Sequence, residues 1–116
     1  MRDLLLQGAG LVAVATALIH GVLGETVVFK RATISPTRLR TLLRLVWQAG
    51  TVAWIGCGVL LAAAPWMGSE PARHWTVITV IVVFVFAAGA NALATHARHI
   101  GWVMLASVVV LAAAGY

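Results

Sequence analysis

The sequence predicts an all-α fold, a transmembrane four-helix bundle that forms one domain over residues 1–116. Hydrophobic residues account for 62% of the chain and charged residues for only 9%, and the mean hydropathy is +1.01. The apolar residues fall into four stretches, and about 20 apolar residues suit the ~30 Å hydrocarbon core of a bilayer. Only helices or closed barrels satisfy their backbone hydrogen bonds in lipid, and four segments of helical length favour helices.

The first predicted helix covers about residues 4–29. Its apolar run from Leu4 to Phe29 is much longer than the core of about 7–15 residues in a typical signal peptide, so we interpret it as a retained helix. The second predicted helix covers about residues 40–64 and ends at Pro65, because proline does not continue a helix.

The third predicted helix covers about residues 75–95, and its centre is rich in Val and Ile. That richness favours a strand in a soluble protein, but in lipid the backbone requirement favours a helix. The fourth covers about residues 100–115. At 1.5 Å per residue it extends only about 25 Å, so it spans a bilayer with local thinning or with little tilt.

The formal charge of +5 is unevenly distributed along the chain. One side of the predicted bundle, which bears the first and third loops, carries six basic residues: Lys30, Arg31, Arg38, Arg40, Arg44 and Arg98. The other side carries Arg2 and Arg73. The positive-inside rule predicts that the first and third loops are cytoplasmic and that both termini lie outside. Because this basic surface marks topology, we expect no binding of nucleic acid.

A few strongly polar side chains lie within the apolar stretches. Such groups are costly at membrane depth, so they usually face the interior of a bundle and mark a packing contact or a functional site. At about 100° per residue, His20 shares one face of helix 1 with small residues, an arrangement that suits close helix packing in lipid. The predicted buried polar seam consists of His20, Glu25, Arg44, Gln48, Thr51 and Asn91.

The seam is predicted to have two layers. Glu25 and Arg44 each lie about four residues from the cytoplasmic end of their helix, so both should lie about 6 Å below the interface and pair. Asn91 on helix 3 lies at a similar depth and is expected to join that layer. Trp47 and Trp54 flank the polar stripe of helix 2. The second layer, one turn deeper, consists of His20, Gln48 and Thr51.

Two interpretations of these polar residues are open at the level of sequence. In one, Glu25 and Arg44 form a structural ion pair that fixes the register of helices 1 and 2, and His20 is an internally hydrogen-bonded core residue. In the other, Glu25 is a proton or cation site, and His20 is a proton relay or a ligand.

The sequence predicts no cofactor, no metal and no catalytic residue. A bis-histidine haem site needs a second histidine at the depth of His20, but His74 lies at the outer boundary and His96 and His99 lie at the inner one. The spacing of His96 and His99 can bind a metal on a helix, but two histidines alone are a weak signal. No nucleophile–base arrangement, carboxylate pair or phosphate-binding glycine loop is recognisable.

Two strings in helices 1 and 2 resemble a known group of proteins. They are IHGVLGE at residues 19–25 and LVWQAGTVAW at residues 45–54. They resemble a group of small four-helix bacterial membrane proteins of uncharacterised function, which have a His-x-x-x-Gly-Glu and a Trp-x-x-x-Thr-Val-Ala-Trp element. In that group a histidine often follows the first tryptophan, whereas this chain has Gln48. The resemblance implies no reaction, and it implies that one unit is formed by His20, Glu25, Trp47, Thr51 and Trp54.

The sequence therefore predicts a non-enzymatic integral membrane protein, of the bacterial cytoplasmic (inner) membrane, that acts through helix packing. It would work in the lipid bilayer as a homo-oligomer or as an accessory subunit of a larger membrane complex. The alternative is a small proton- or cation-coupled transporter that uses Glu25, His20 and Arg44. Because four helices make a narrow pathway, such a transporter would need a dimer.

Overall fold

A computed structural model describes all residues 1–116, and it consists of four helices without strands. The all-α prediction is confirmed. Helix α1 is α-helical over Arg2–Leu23, passes through a π-helical turn at Gly24–Val28 and ends in Phe29–Arg31. The other helices are α2 at Thr37–Ala63 with a 3₁₀ turn at Ala64–Trp66, α3 at Glu70–Thr95, and α4 at Gly101–Gly115.

Helix α3 begins five residues before the expected position because its first turn is capped. The Ser69 hydroxyl accepts a hydrogen bond from the backbone N–H of Ala72 at 3.4 Å, and Pro71 lies in the first turn, where proline costs no hydrogen bond. The helix ends at His96 and Ala97, which have φ values of 51° and 57°. Residues with a left-handed backbone conformation at this position stop the helix and let its last carbonyl groups accept hydrogen bonds.

Helix α1 lies at the centre of the bundle. It packs along α2 on one side and along α4 on the other, and α3 packs mainly on α4, whereas α2 and α3 approach each other little. The core lies in the half of the bundle that contains the start of α1 and the end of α4. Its residues are Leu6, Ala9, Ala13, Leu61, Ala64, Val77, Val80, Phe84, Leu105, Val108 and Ala112.

The backbones of α1 and α2 approach each other closely where Gly10 faces Gly58. A methyl group on Gly10 would lie 2.5 Å from the carbonyl oxygen of Gly58, and one on Gly58 would lie 2.8 Å from the carbonyl oxygen of Gly10. No side chain fits between the two backbones at this point. Small residues at helix crossings allow this close approach, which maximises van der Waals contact when lipid removes the hydrophobic driving force.

The bundle has charged residues at its two ends and an apolar middle. The basic end is defined here by Lys30, Arg31, Arg38, Arg40 and Arg98, and the opposite end by Asp3, Glu70, Arg73 and Tyr116. On α1, the interval between Asp3 and Glu25 holds 21 uncharged residues, which corresponds to about 32 Å. This length is close to the ~30 Å thickness of a bilayer core.

Most of the apolar surface of the chain is not covered by the chain itself. Only 20 of 116 residues are buried, although 62% are hydrophobic. Three helices, Arg2–Arg31, Thr37–Trp66 and Glu70–Thr95, are long and apolar enough to cross a membrane, whereas Gly101–Gly115 is shorter. This surface indicates a membrane protein, because a soluble protein does not expose contiguous apolar faces of this extent.

The contact between Gly10 and Gly58 gives a test of the packing. We expect Gly10→Ala to destabilise the protein by about 1–3 kcal/mol, because the added methyl group meets backbone atoms that cannot rotate away. Thermal unfolding in mild detergent measures the effect. The matched control is Gly8→Ala, since no atom lies within 4 Å of the methyl group there. Equal melting temperatures for the two variants would contradict the close crossing.

Candidate functional site

The Arg44 guanidinium and the Glu25 carboxylate form a two-point ion pair between α2 and α1. Arg44 Nε donates to Glu25 Oε1 at 3.0 Å, and Arg44 Nη2 lies 2.7 Å from Glu25 Oε2. This paired geometry is stronger and more directional than a single contact. The predicted pairing of Glu25 with Arg44 is therefore confirmed.

Gln48 completes the shell of the Glu25 carboxylate. Its side-chain amide donates to Glu25 Oε1 at 2.9 Å and to the carbonyl oxygen of Gly21 at 3.0 Å. The sequence analysis placed Gln48 in a deeper layer with His20. The structure corrects this placement, because a glutamine side chain is long enough to extend one turn along α2 and reach Glu25.

The ion pair is not buried, so the prediction of a buried seam is wrong for these two residues. The side chains of Glu25 and Arg44 are 39% and 50% exposed. Glu25 lies in the π-helical turn Gly24–Val28, at the basic end of the bundle. A π-helical turn adds a residue to one turn of the helix and so re-aims the side chains there, a feature that the apolar pattern of α1 did not predict.

His20 is held between two tryptophans of α2. Its ring lies parallel to that of Trp47, with 4.1 Å between centroids and 3° between planes, and it is tilted by 45° against Trp54 at 4.5 Å. The Trp47 indole N–H donates to the backbone carbonyl of His20 at 2.8 Å. The sequence analysis treated the tryptophans as a flank, whereas in the structure they form the walls around His20.

Two neighbours fix the position of the Trp47 indole. The Phe29 ring stands nearly perpendicular to the indole, at 87°, with 5.8 Å between the ring centroids. Gly24 leaves the space that the indole occupies. A methyl group on Gly24 would lie 2.5 Å from Trp47 Cδ1. The Gly-Glu step of α1 thus has two separate roles, because Gly24 accommodates the indole and Glu25 pairs with Arg44.

Thr51 is buried, at 8% exposure, and it acts through packing. Its hydroxyl donates to the backbone carbonyl of Trp47 at 3.4 Å, within α2. Its methyl group faces Gly21, where an added methyl would lie 2.9 Å away. The expected layer of His20, Gln48 and Thr51 is not joined by hydrogen bonds among the three side chains.

Asn91 does not join the Glu25–Arg44 layer. It lies against the start of α4, since a methyl group on Gly101 would be 3.2 Å from both the Oδ1 and Nδ2 atoms of Asn91. Its Oδ1 atom is buried and has no hydrogen-bond partner. The prediction compared depth along each helix, but α3 is a neighbour of α4 and hardly approaches α2.

A cleft of about 320 Å³ lies between the four helices in the half of the bundle nearest the basic end. His20, Trp47 and Trp54 line one side, and Asn91 and Met104 line another. The cleft joins the His20 group to Asn91, two features that the sequence assigned to different layers. In this cleft a few polar side chains line a space that is otherwise apolar.

His99 caps the first turn of α4. Its Nδ1 atom accepts a hydrogen bond from the backbone N–H of Gly101 at 3.0 Å, while His96 is exposed in the turn before it. The two histidines therefore belong to the turn between α3 and α4.

The opposite end holds a second ion pair, which the sequence analysis missed. Arg73 Nη2 lies 2.9 Å from Asp3 Oδ1 and joins the starts of α3 and α1. Nearby, the Tyr116 hydroxyl contacts His74 Nδ1. Asp3 and Arg73 carry opposite charges and lie at the same end of the predicted bundle. This was the signal in the sequence from which the pair could have been predicted. They were not paired because the sequence does not state which helices are neighbours.

No family model matches this sequence, and neither the curated proteins nor the solved structures include a match to it.

The ion pair gives a second test. We expect Arg44→Ala and Glu25→Ala each to lower the melting temperature in detergent, and the double variant to lose less than the sum of the two, because the single changes remove one shared interaction. Added salt should reduce the loss of melting temperature that each single change causes, because salt screens a half-exposed ion pair. The control is Arg38→Ala, an exposed arginine at the same end with no ion pair. A strictly additive double variant would rule out coupling.

Proposed function

We propose that this chain is a non-enzymatic polytopic membrane protein that acts through helix packing, as a homo-oligomer or as an accessory subunit of a larger membrane complex. The observation that carries the proposal is the uncovered apolar surface. In the most apolar stretches of the three long helices, only 22%, 17% and 17% of residues are buried within the chain. Lipid covers part of such a surface, and protein partners cover the faces that offer close packing.

The Glu25 carboxylate supports a structural role over transport. Both of its oxygens are engaged, one by the Arg44 Nη2 atom and the other by Arg44 Nε and Gln48. All these donors come from α2, so the group ties the end of α1 to α2 and fixes their register. A proton- or cation-coupled transporter that uses Glu25, His20 and Arg44 would need this carboxylate to release its partners in each cycle.

The contact surface that we propose is the outward face of α2. Ala49, Ala53 and Gly56 recur on one face at helical spacing, and all three are exposed. No atom of the chain lies within 4 Å of the position that a side chain on Gly56 would occupy. Small residues on an exposed helical face let a second helix approach closely in lipid.

The charge distribution supports an orientation and a location. Six basic residues stand against the single carboxylate of Glu25 at one end, whereas Arg2 and Arg73 are balanced by Asp3 and Glu70 at the other. We propose that the basic end faces the cytoplasm and that both termini lie outside. The resemblance to small four-helix bacterial proteins, carried by the strings around His20 and Trp47, leads us to propose the bacterial inner membrane.

Oligomeric state tests the contact surface. Photobleaching of labelled protein in liposomes, at decreasing protein-to-lipid ratio, should reveal a dimer or larger oligomer. We expect Gly56→Leu to weaken it by about tenfold, which equals about 1.4 kcal/mol, because the added side chain blocks close approach. Gly89→Leu on α3 is the matched control, since that position is equally open. A monomer at all ratios would overturn the homo-oligomer. Equal weakening of the oligomer by Gly56→Leu and Gly89→Leu would overturn the assignment of the contact surface to α2.

Labelling of single cysteines tests the orientation. The background is Cys57→Ala, which removes the only cysteine. Thr33→Cys lies in the first loop and Gly68→Cys in the second, and both positions are exposed. In intact cells a membrane-impermeant maleimide should label the variant at 68 and should label the variant at 33 only after lysis. The reverse pattern would place the basic end outside.

A further inference from the structure

The cleft near the basic end has about the length of one leaflet of a bilayer. On α1 its lining extends from Thr16 to Val28, which is about 18 Å at 1.5 Å per residue. Half of a hydrocarbon core of ~30 Å is about 15 Å. Thr16 lies about two residues from the midpoint between Asp3 and Glu25, so the cleft extends from the basic end to the middle of the apolar span.

The cleft is open to lipid and has room for one hydrocarbon chain. Ile19 and Ile100 at its edge are 45% and 68% exposed, and most of its lining residues are hydrophobic. Its volume of about 320 Å³ is at the lower end of the range of roughly 300–1,000 Å³ for sites that bind small molecules. This volume is too small for both chains of a phospholipid. Water is disfavoured because apolar cavities tend to stay dry.

Unpaired basic side chains flank the mouth of the cleft, which we define as its end at Val28 and His99. Lys30 and Arg31 follow shortly after Val28, the last residue of α1 in the lining. Arg98 directly precedes His99, which also lines the cleft. The three basic residues are exposed, and none of them forms an ion pair. Three positive charges at the mouth are therefore available to an anion from outside the chain.

The chain supplies no counter-charge for these three residues. Glu25 is the only carboxylate at this end of the sequence, and Arg44 and Gln48 occupy its two oxygens. A further arginine, Arg40, donates to the carbonyl oxygen of Phe29. Basic residues next to a membrane-spanning helix attract anionic phospholipids. An anionic headgroup is therefore the chemical complement of the mouth.

His99 adds a neutral hydrogen-bond donor at the mouth. Its Nδ1 atom accepts from the backbone N–H of Gly101 at 3.0 Å, so the ring hydrogen lies on Nε2. The Nε2–H group has no acceptor within the chain and can donate to a phosphate oxygen. The mouth thus offers both charge and a directed hydrogen bond to a phosphate group.

We propose that the cleft and its mouth bind one anionic phospholipid. Its phosphate group lies at Lys30, Arg31 and Arg98, one acyl chain lies in the cleft along α1, and the other chain remains in the bilayer. The site is independent of the oligomer proposed above, because the small residues on the outward face of α2 do not line the cleft.

Native mass spectrometry of the full chain in mild detergent tests the site, because it gives the Kd of the first bound lipid. The probes are phosphatidylglycerol and phosphatidylcholine, each with two palmitoyl chains. We expect phosphatidylglycerol to bind about tenfold more tightly, since one lysine or arginine near a membrane surface contributes about a fivefold gain for an anionic lipid. Glycerol 3-phosphate in about hundredfold excess should not displace the lipid, because the buried acyl chain supplies much of the binding free energy.

Variants at the mouth test the headgroup contact. Arg98→Gln should weaken the binding of phosphatidylglycerol by about fivefold, whereas Arg98→Lys, which keeps the charge, should change it by less than about twofold. The matched control is Arg2→Gln, because Arg2 is also exposed and without an ion pair but lies at the opposite end. Equal effects of Arg98→Gln and Arg2→Gln would contradict a headgroup site at the mouth.

A matched pair of variants on α1 tests the position of the acyl chain. Val27→Phe fills the cleft from its edge and should weaken the binding of phosphatidylglycerol by about tenfold, the effect of about two methylene groups that are no longer buried. The control is Val22→Phe, because Val22 is 60% exposed and does not line the cleft. Equal affinity for the two lipids, displacement by glycerol 3-phosphate, or equal binding in Val27→Phe and Val22→Phe would overturn the proposal.

Discussion

The close approach of α1 to α2 is the contact on which the rest of the structure depends. Three glycines of α1 allow this approach, because each leaves space for a group of α2. Gly10 faces the backbone of Gly58, Gly21 faces the side chain of Thr51, and Gly24 faces the indole of Trp47. The half-exposed ion pair of Glu25 and Arg44 lies at the end of this series and is worth little in stability by itself. Packing therefore holds the two helices together, and the ion pair with Gln48 adds a polar contact at one end of them.

The same contact explains why His20 is surrounded by aromatic rings. Because α2 approaches α1 so closely, Trp47 and Trp54, seven residues apart, both reach the ring of His20. Trp54 also contacts Phe84 of α3 at 5.8 Å, although the backbones of α2 and α3 remain apart. Aromatic side chains thus span the gap on the core side of the cleft.

The sequence predicted those features that depend on one helix or on two consecutive ones. The four helices follow from apolar length, and the pairing of Glu25 with Arg44 follows from their equal depth on helices joined by a short loop. The errors concern features that need the lateral order of the helices. Asn91 was assigned to the wrong layer, and the pair of Asp3 with Arg73 was missed, because depth alone does not state that α3 is next to α4. The π-helical turn at Gly24–Val28 was missed because residue periodicity averages over several turns.

The length of α4 accounts for the position of the cleft. Helix α4 has 15 residues and α1, with its π-helical turn, has 30, which correspond to about 22 Å and 45 Å. The two are aligned at the opposite end, where a methyl group on Gly115 would lie 2.9 Å from the carbonyl oxygen of Arg2. The whole difference in length therefore falls at the basic end. Helix α4 begins beside Asn91, and the part of α1 that carries His20 and Glu25 extends past this first turn of α4 and faces α2 alone. A fourth helix as long as α1 would fill the cleft, so the shortness of α4 leaves this space open between the helices.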